Sequence, residues 1–228
     1  MNTQSDSPNE IWIPIDGVVV GGTLTVPADA TGIVLFAHGS GSSRFSPRNQ
    51  AVARELQRAR LGTLLFDLLS ADEEVVDART GHLRFDIDLL ADRLAHVTEW
   101  ASRQPELRDL PIGYFGASTG AAAALVAAAR LPDLVSAVVS RGGRPDLAAG
   151  ALARVKAPTL LIVGGLDLPV IEMNREALEL LTVEKKLEIV PGASHLFEER
   201  GKLEEVARLA REWFTRFLVG HMAGLKHV

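Results

Sequence analysis

Pro111-Ile112-Gly113-Tyr114-Phe115-Gly116-Ala117-Ser118-Thr119-Gly120 is the stretch on which the reading of this chain turns. The apolar residues before Gly116 predict a strand over Ile112–Phe115, and the alanine-rich segment Ala121–Arg130 predicts a helix after it. Gly-x-Ser-x-Gly between a strand and a helix makes a turn sharp enough to strain the serine backbone and present its hydroxyl to open space. Glycines flank the turn because a Cβ there would collide across it. The pattern alone is weak: with 20 Gly and 12 Ser in 228 residues, chance supplies it in roughly one chain in ten. The strand before it, the helix after it and two residues far downstream give it weight.

Outward from this centre the chain alternates. Ile11–Ile15 and Val18–Val26 read as strands around Asp16-Gly17, a hairpin-like start. Gly32–Ala37 is a continuous apolar run, as a buried parallel strand requires. A helix over Pro47–Ala59, a strand over Gly62–Phe66 and a longer helix near Phe85–Arg103 precede the centre. Strands over Ser136–Ser140, Thr159–Val163 and Lys186–Val190 follow it, with helices over Ile171–Leu181 and Leu203–Leu218. In the last helix, Val206, Leu209, Trp213, Phe214 and Phe217 form a core stripe. This alternation predicts one α/β domain over residues 1–228, with about eight mostly parallel strands and helices on both faces. The connection from Ser140 to Thr159 holds at most a small helix near Pro145–Ala153, so no large lid domain is expected. Residues 1–9 and 220–228 read as flexible tails.

A serine hydroxyl is a poor nucleophile until a base takes its proton, and that base needs a third group to orient it. Asp167, in Gly164-Gly165-Leu166-Asp167, lies just past a predicted core strand. His195, in Gly192-Ala193-Ser194-His195, lies in the loop after the next strand. Both therefore fall at the C-terminal edge of the sheet, where parallel α/β sheets carry their sites. Ser118, Asp167, His195 is the chain order of a Ser-Asp-His triad on such a sheet. Taken singly, Asp167 reads equally as a turn residue or as the cap of the following helix, and His195 as a surface residue. Of the other histidines, His82 and His96 fall in or near a helix, and His221 and His227 in the tail.

His38-Gly39-Ser40-Gly41-Ser42-Ser43 follows the strand ending at Ala37. Acyl transfer needs donors for the oxyanion of its tetrahedral intermediate, and two backbone N–H groups, each worth about 3–4 kcal/mol, are the usual ones. The N–H groups of Thr119, at a helix N-terminus, and Ser40 are the candidates. The loop reads alternatively as a plain turn or a phosphate cradle, but it lacks the Gly-Lys-Ser/Thr ending of a P-loop. Arg141, after the strand Ser136–Ser140, is placed to bind a substrate carboxylate, or to pair with a nearby acid. Arg44-Phe45-Ser46-Pro47-Arg48 forms a pocket wall, with Arg44 as a substrate-binding candidate, or starts the helix, and Asp67 reads as a turn cap.

Composition sets the outer bounds. Hydrophobic residues make up 47% and charged residues 23%, and the net charge is −5 with no basic block, which argues against nucleic-acid or anionic-membrane partners. The chain contains no cysteine, excluding disulfides, thiolate ligands and a cysteine nucleophile. No apolar run is long enough to span a bilayer, and Met1–Glu10 is polar, so the cytoplasm is the expected compartment.

His38-Gly39, Gly116-Ala117-Ser118-Thr119-Gly120, Gly164-Gly165-Leu166-Asp167 and Gly192-Ala193-Ser194-His195 together resemble the α/β-hydrolase superfamily, most closely its small lidless branch that includes the dienelactone hydrolases. The resemblance spans about Val18 to Leu218. It departs at one point: dienelactone hydrolases use a cysteine nucleophile, where this chain has Ser118. The resemblance implies an α/β-hydrolase fold and a serine hydrolase acting on small carboxylic esters, with no metal or cofactor, as a monomer or homodimer. Lactone, thioester or amide hydrolysis, acyl transfer or perhydrolysis would use the same triad, and a non-catalytic binding protein would share the fold.

Overall fold

The computed structural model describes residues 7–218. The expected tails lie mostly outside this range, although Asn9 already belongs to the first strand. β1 (Asn9–Ile15) and β2 (Val18–Thr25) form a hairpin closed by Asp16 and Gly17, both at positive φ, the turn whose twist matches paired strands. β3 (Gly32–Ala37), β4 (Leu61–Phe66), β5 (Ile112–Ala117), β6 (Val135–Arg141), β7 (Thr159–Gly164) and β8 (Lys185–Val190) complete an eight-stranded sheet. Its order is β1-β2-β4-β3-β5-β6-β7-β8. β3 to β8 run parallel, while β2 is antiparallel to both its neighbours.

Alternation along the strands divides the core into two layers. Val34, Phe36 and Phe115 face one side, where α1 (Pro47–Arg58) and α7 (Lys202–Leu218) cover them with Val52, Leu56, Val206, Trp213 and Phe214. Burying each of these large side chains is worth about 1.5–3 kcal/mol. Ile33, Leu35 and Tyr114 face the other side, covered by α3 (Ile87–Arg103), α4 (Thr119–Arg130) and α5 (Ala149–Leu152). The predicted stripe on α7 is core, with Phe217 packed at its edge. The alanines of α4 are buried over Ala121–Ala124 and at Ala127 and Ala128, which lets the helix backbone lie close to the sheet.

α6 (Leu168–Leu180) starts three residues earlier than expected, with Pro169 in its first turn. An additional helix, α2 (Ala71–Thr80), lies between β4 and α3. It carries a capping box: Ser70 Oγ accepts from Glu73 N, and a Glu73 carboxylate oxygen accepts from Ser70 N. Between β6 and β7 stand only a short 3₁₀ turn, Pro145–Ala148, and the four-residue α5, so that crossover carries no lid domain. No helix among the described residues is long and apolar enough to cross a membrane.

Candidate active site

The sharp turn after β5 has the strain its sequence predicts. Ser118 sits at φ 51° and ψ −120°, a backbone conformation that a side-chain-bearing residue adopts only under constraint. The constraint is visible on both sides. Ser118 N donates to Arg141 O at the end of β6, and Ser118 O accepts from Arg144 N and Ala121 N. A Cβ on Gly116 would collide with the Ala121 backbone, and one on Gly120 with the carbonyl oxygens of Ala37 and His38. Only glycine lets α4 start that close to β3 and β5.

Ser118 occupies the N-cap position of α4 but makes no side-chain capping bond. Asp167 occupies the N-cap position of α6 and does not cap either. Both residue types normally cap there, so both side chains are withheld from the local bond that sequence would assign them. Asp167 instead accepts from His195 Nδ1 at 2.6 Å. A carboxylate only accepts, so Nδ1 carries the proton and Nε2 keeps its lone pair.

The two loops bearing Asp167 and His195 are stitched together by Gly165 N to Val190 O and Leu166 N to Ala193 O. Glu199 adds a clamp, taking the Ser194 N–H on its two carboxylate oxygens at 3.1 and 3.0 Å; these bonds hold its carboxyl below the usual range. His195 lies against the end of β6, where a Cβ on Gly142 would stand 3.4 Å from ring atoms Cε1 and Nδ1. The imidazole thus rests on the residue following Arg141, whose carbonyl holds the Ser118 amide. No hydrogen bond reaches Ser118 Oγ among the described residues; such contacts commonly tighten only with substrate in place.

The loop after β3 meets the turn directly. Ser40 N donates to Thr119 Oγ1 at 2.9 Å, so this candidate oxyanion donor already has an acceptor, supplied by the residue that carries the other donor. Beneath it, His38 is 6% exposed and ties two loops. Its Nε2 accepts from Leu68 N at 3.1 Å, which fixes the proton on Nδ1, 3.0 Å from Gly39 O. Burial pushes the His38 pKa down and keeps the ring neutral.

The two arginines singled out by sequence have different fates. Arg44 is engaged. Its backbone N and guanidinium both donate to the Asp67 carboxylate, Glu10 accepts from Nη2 at 3.3 Å, and the cation lies over Phe45. Asp67 therefore anchors a distant loop rather than capping its own turn. Arg44 lines an open groove of about 640 Å³ with Trp12, Val19, Phe45 and residues 41–43 of the loop after β3.

Arg141 is the reverse. It is 7% exposed, and among the described residues its guanidinium has no hydrogen-bond or ion-pair partner. Its guanidinium carbon lies 6.0 Å from the centroid of the Phe197 ring. Burial and the nearby positive charge of Arg48 lower its pKa to about 10, so it remains a cation at neutral pH. Sequence reasoning overlooked Phe197 and Glu199 near these residues, and included Arg48 only as the end of the segment Arg44–Arg48 after the β3 loop.

Comparison with known proteins shows the family and the fold. Residues 63–219 match the model of the Dienelactone hydrolase family. A crystal structure of a dienelactone hydrolase from Anabaena variabilis is 62% identical, superposes with a TM-score of 0.91, and covers 92% of this chain and 99% of its own. A Xanthomonas campestris protein described as an α/β serine hydrolase without lid shares the fold at 22% identity and a TM-score of 0.75, covering 96% of this chain and 97% of its own. Curated proteins from two Mycobacterium tuberculosis strains, named "Putative phosphoribosyl transferase", are 56% identical over 211 residues. That match covers 92% of this chain and 47% of the relatives, so the chain spans about half their length. By fold, family match and close relatives, this chain belongs to the dienelactone hydrolase family.

Proposed function

We propose that this hydrolase cleaves small carboxylic esters through an acyl-enzyme formed on Ser118. The observation that carries the reading is the pair His195 Nδ1–Asp167 Oδ2 at 2.6 Å, made by an aspartate that forgoes its capping role, beside a serine held at φ 51°. Nε2 of His195 takes the Ser118 proton as Oγ attacks the substrate carbonyl, and returns it to the departing alkoxide. Asp167 holds the tautomer and offsets the charge of the imidazolium. Water then attacks the acyl-enzyme with His195 as base, releasing the acid and restoring the serine.

Negative charge on the carbonyl oxygen develops beside Thr119 N, the first N–H of α4, which has no intrahelical acceptor. Ser40 N is the second donor. Its bond to Thr119 Oγ1 holds it at the mouth of the turn until the oxyanion forms. Lactones, thioesters and amides present the same carbonyl, and their turnover is measured in the same experiment. The phosphoribosyl transferase name belongs to relatives of twice this length, and the chemistry around Ser118 supports acyl transfer to water.

A fluorophosphonate probe tests the reading directly. Wild type is expected to be labelled at Ser118 and to hydrolyse nitrophenyl acetate, and Ser118→Ala to do neither. A wild-type protein that stays unlabelled and inert on short esters, lactones and thioesters overturns it.

A further inference from the structure

Thr119 follows the nucleophile and opens α4, and its side chain lies where the turn after β5 meets the loop after β3. The residue is 4% exposed, so little of it meets bulk water. A threonine hydroxyl has one proton to donate and two lone pairs to accept with. One lone pair of Thr119 Oγ1 takes the Ser40 N–H at 2.9 Å. The proton has no acceptor among the described residues.

Other buried threonines dispose of that proton locally. Thr98 Oγ1 donates to Leu94 O at 2.8 Å, one helical turn back, and Thr159 Oγ1 donates to Ala157 O at 2.9 Å. Thr119 is denied the helical solution. It is the first residue of α4, and the residue four positions before it, Phe115, belongs to β5 rather than to a preceding turn. A hydroxyl that is buried, already accepting a bond and left with its own proton free needs an acceptor from outside the chain.

The surroundings say where that acceptor stands. A Cβ on Gly39 would lie 3.2 Å from Ser118 Cβ and from Ala117 O, so the loop reaches Ser40 by packing against the nucleophile itself. An oxyanion held by Thr119 N and Ser40 N lies within hydrogen-bond distance of both. Thr119 Oγ1 borders the same two nitrogens: it is bonded to Ser40 N, and only Cα and Cβ separate it from its own N. Its hydrogen turns about the Cβ–Oγ1 bond and can be aimed at the oxyanion. Accepting from Ser40 N–H polarises the hydroxyl and makes it a stronger donor.

We infer that the Thr119 hydroxyl is a third oxyanion donor at Ser118, a side-chain donor beside the N–H groups of Thr119 and Ser40. The inference rests on the ester-hydrolase reading and adds to it a side chain that touches the reacting atoms. As Ser118 Oγ bonds to the carbonyl carbon, the carbonyl π pair moves onto oxygen and receives the Thr119 O–H as a hydrogen bond. Thr119 keeps its proton throughout, and the bond relaxes when the carbonyl re-forms.

The experiment compares wild type with Thr119→Val, which replaces the hydroxyl by a methyl of similar size, and with Thr119→Ser, which keeps the hydroxyl. On nitrophenyl butyrate, Thr119→Val is expected to lose about 10²-fold in kcat with KM nearly unchanged, and Thr119→Ser to stay close to wild type. A trifluoromethyl ketone, which adds Ser118 Oγ to give a tetrahedral oxyanion, reads the same contact without turnover. Its Ki should rise across the variants in the proportion by which kcat/KM falls, while inhibition by butyrate, which forms no oxyanion, stays constant. Thr119→Ala takes the place of Thr119→Val if that variant does not fold.

A Thr119→Val protein with kcat at or above wild type overturns the inference, because the hydroxyl would then only hold Ser40 N–H back from the oxyanion. A loss that Thr119→Ser shares, or one that the ketone does not follow, overturns it too. Fluorophosphonate labelling keeps the two readings apart: a labelled, active wild type with an unimpaired Thr119→Val removes the third donor and spares the hydrolase. An unlabelled, inert wild type overturns both.

Discussion

Asp167 shows how one residue is diverted from a local to a distant role. It stands where aspartates cap helices, and its carboxylate instead meets an imidazole 28 residues away. Asp167→Asn keeps the shape and supplies an amide N–H where His195 needs an acceptor, which selects the wrong tautomer. The expected result is a fall in kcat of about 10³–10⁴-fold on nitrophenyl acetate with a thermal midpoint close to wild type. A loss of tenfold or less would remove Asp167 from the machinery. Residue types, order and sheet edge made the candidate triad legible in sequence, because parallel strands bring their C-terminal loops to one side. The fates of Arg44 and Arg141 were not legible. In sequence each follows an apolar run, and only packing put Asp67 beside one and left the other, the last residue of β6, unpaired.

At the scale of elements, His38 is the joint between the loops after β3 and β4. Its unprotonated Nε2 is required by Leu68 N–H, and burial opposes a second proton. The folded pKa is therefore below the ordinary value of 6.5, so the unfolded chain binds a proton first as pH falls. Stability is unaffected by this group above pH 6.5 and declines from there down toward the folded pKa, by at most about 1.4 kcal/mol per pH unit. Urea unfolding at pH 7.5 and 5.5 should show a steeper acid loss in wild type than in His38→Gln, and equal losses in both would refute the joint. α2 illustrates what periodicity misses. Asp77 is its only buried residue, while Val75 and Val76 point outward, so no apolar stripe marks it. Its real signal was Ser70-x-x-Glu73 at the start and Gly81, at φ 66°, at the end.

Across the whole molecule, the sheet places every candidate catalytic group at one edge and leaves that edge without a lid at the β6–β7 crossover. Long acyl chains gain most where an apolar cover takes them out of water, and here the 3₁₀ turn and α5 are too short to provide one. Nitrophenyl acetate and butyrate are expected to be turned over with higher kcat/KM than laurate or palmitate esters, and equal or better use of the long chains would contradict the open site. The sequence by itself determined the α/β alternation, the set of eight strands and the identity and order of Ser118, Asp167 and His195. Each of these is written in local periodicity or in position after a strand. Only the tertiary structure decided that Ser40 N–H is held by Thr119 Oγ1, 79 residues on, that Arg44 belongs to Asp67, and that Arg141 is enclosed without a counter-charge. Those outcomes depend on which loops the folded sheet brings within hydrogen-bond distance, and no local pattern encodes that distance.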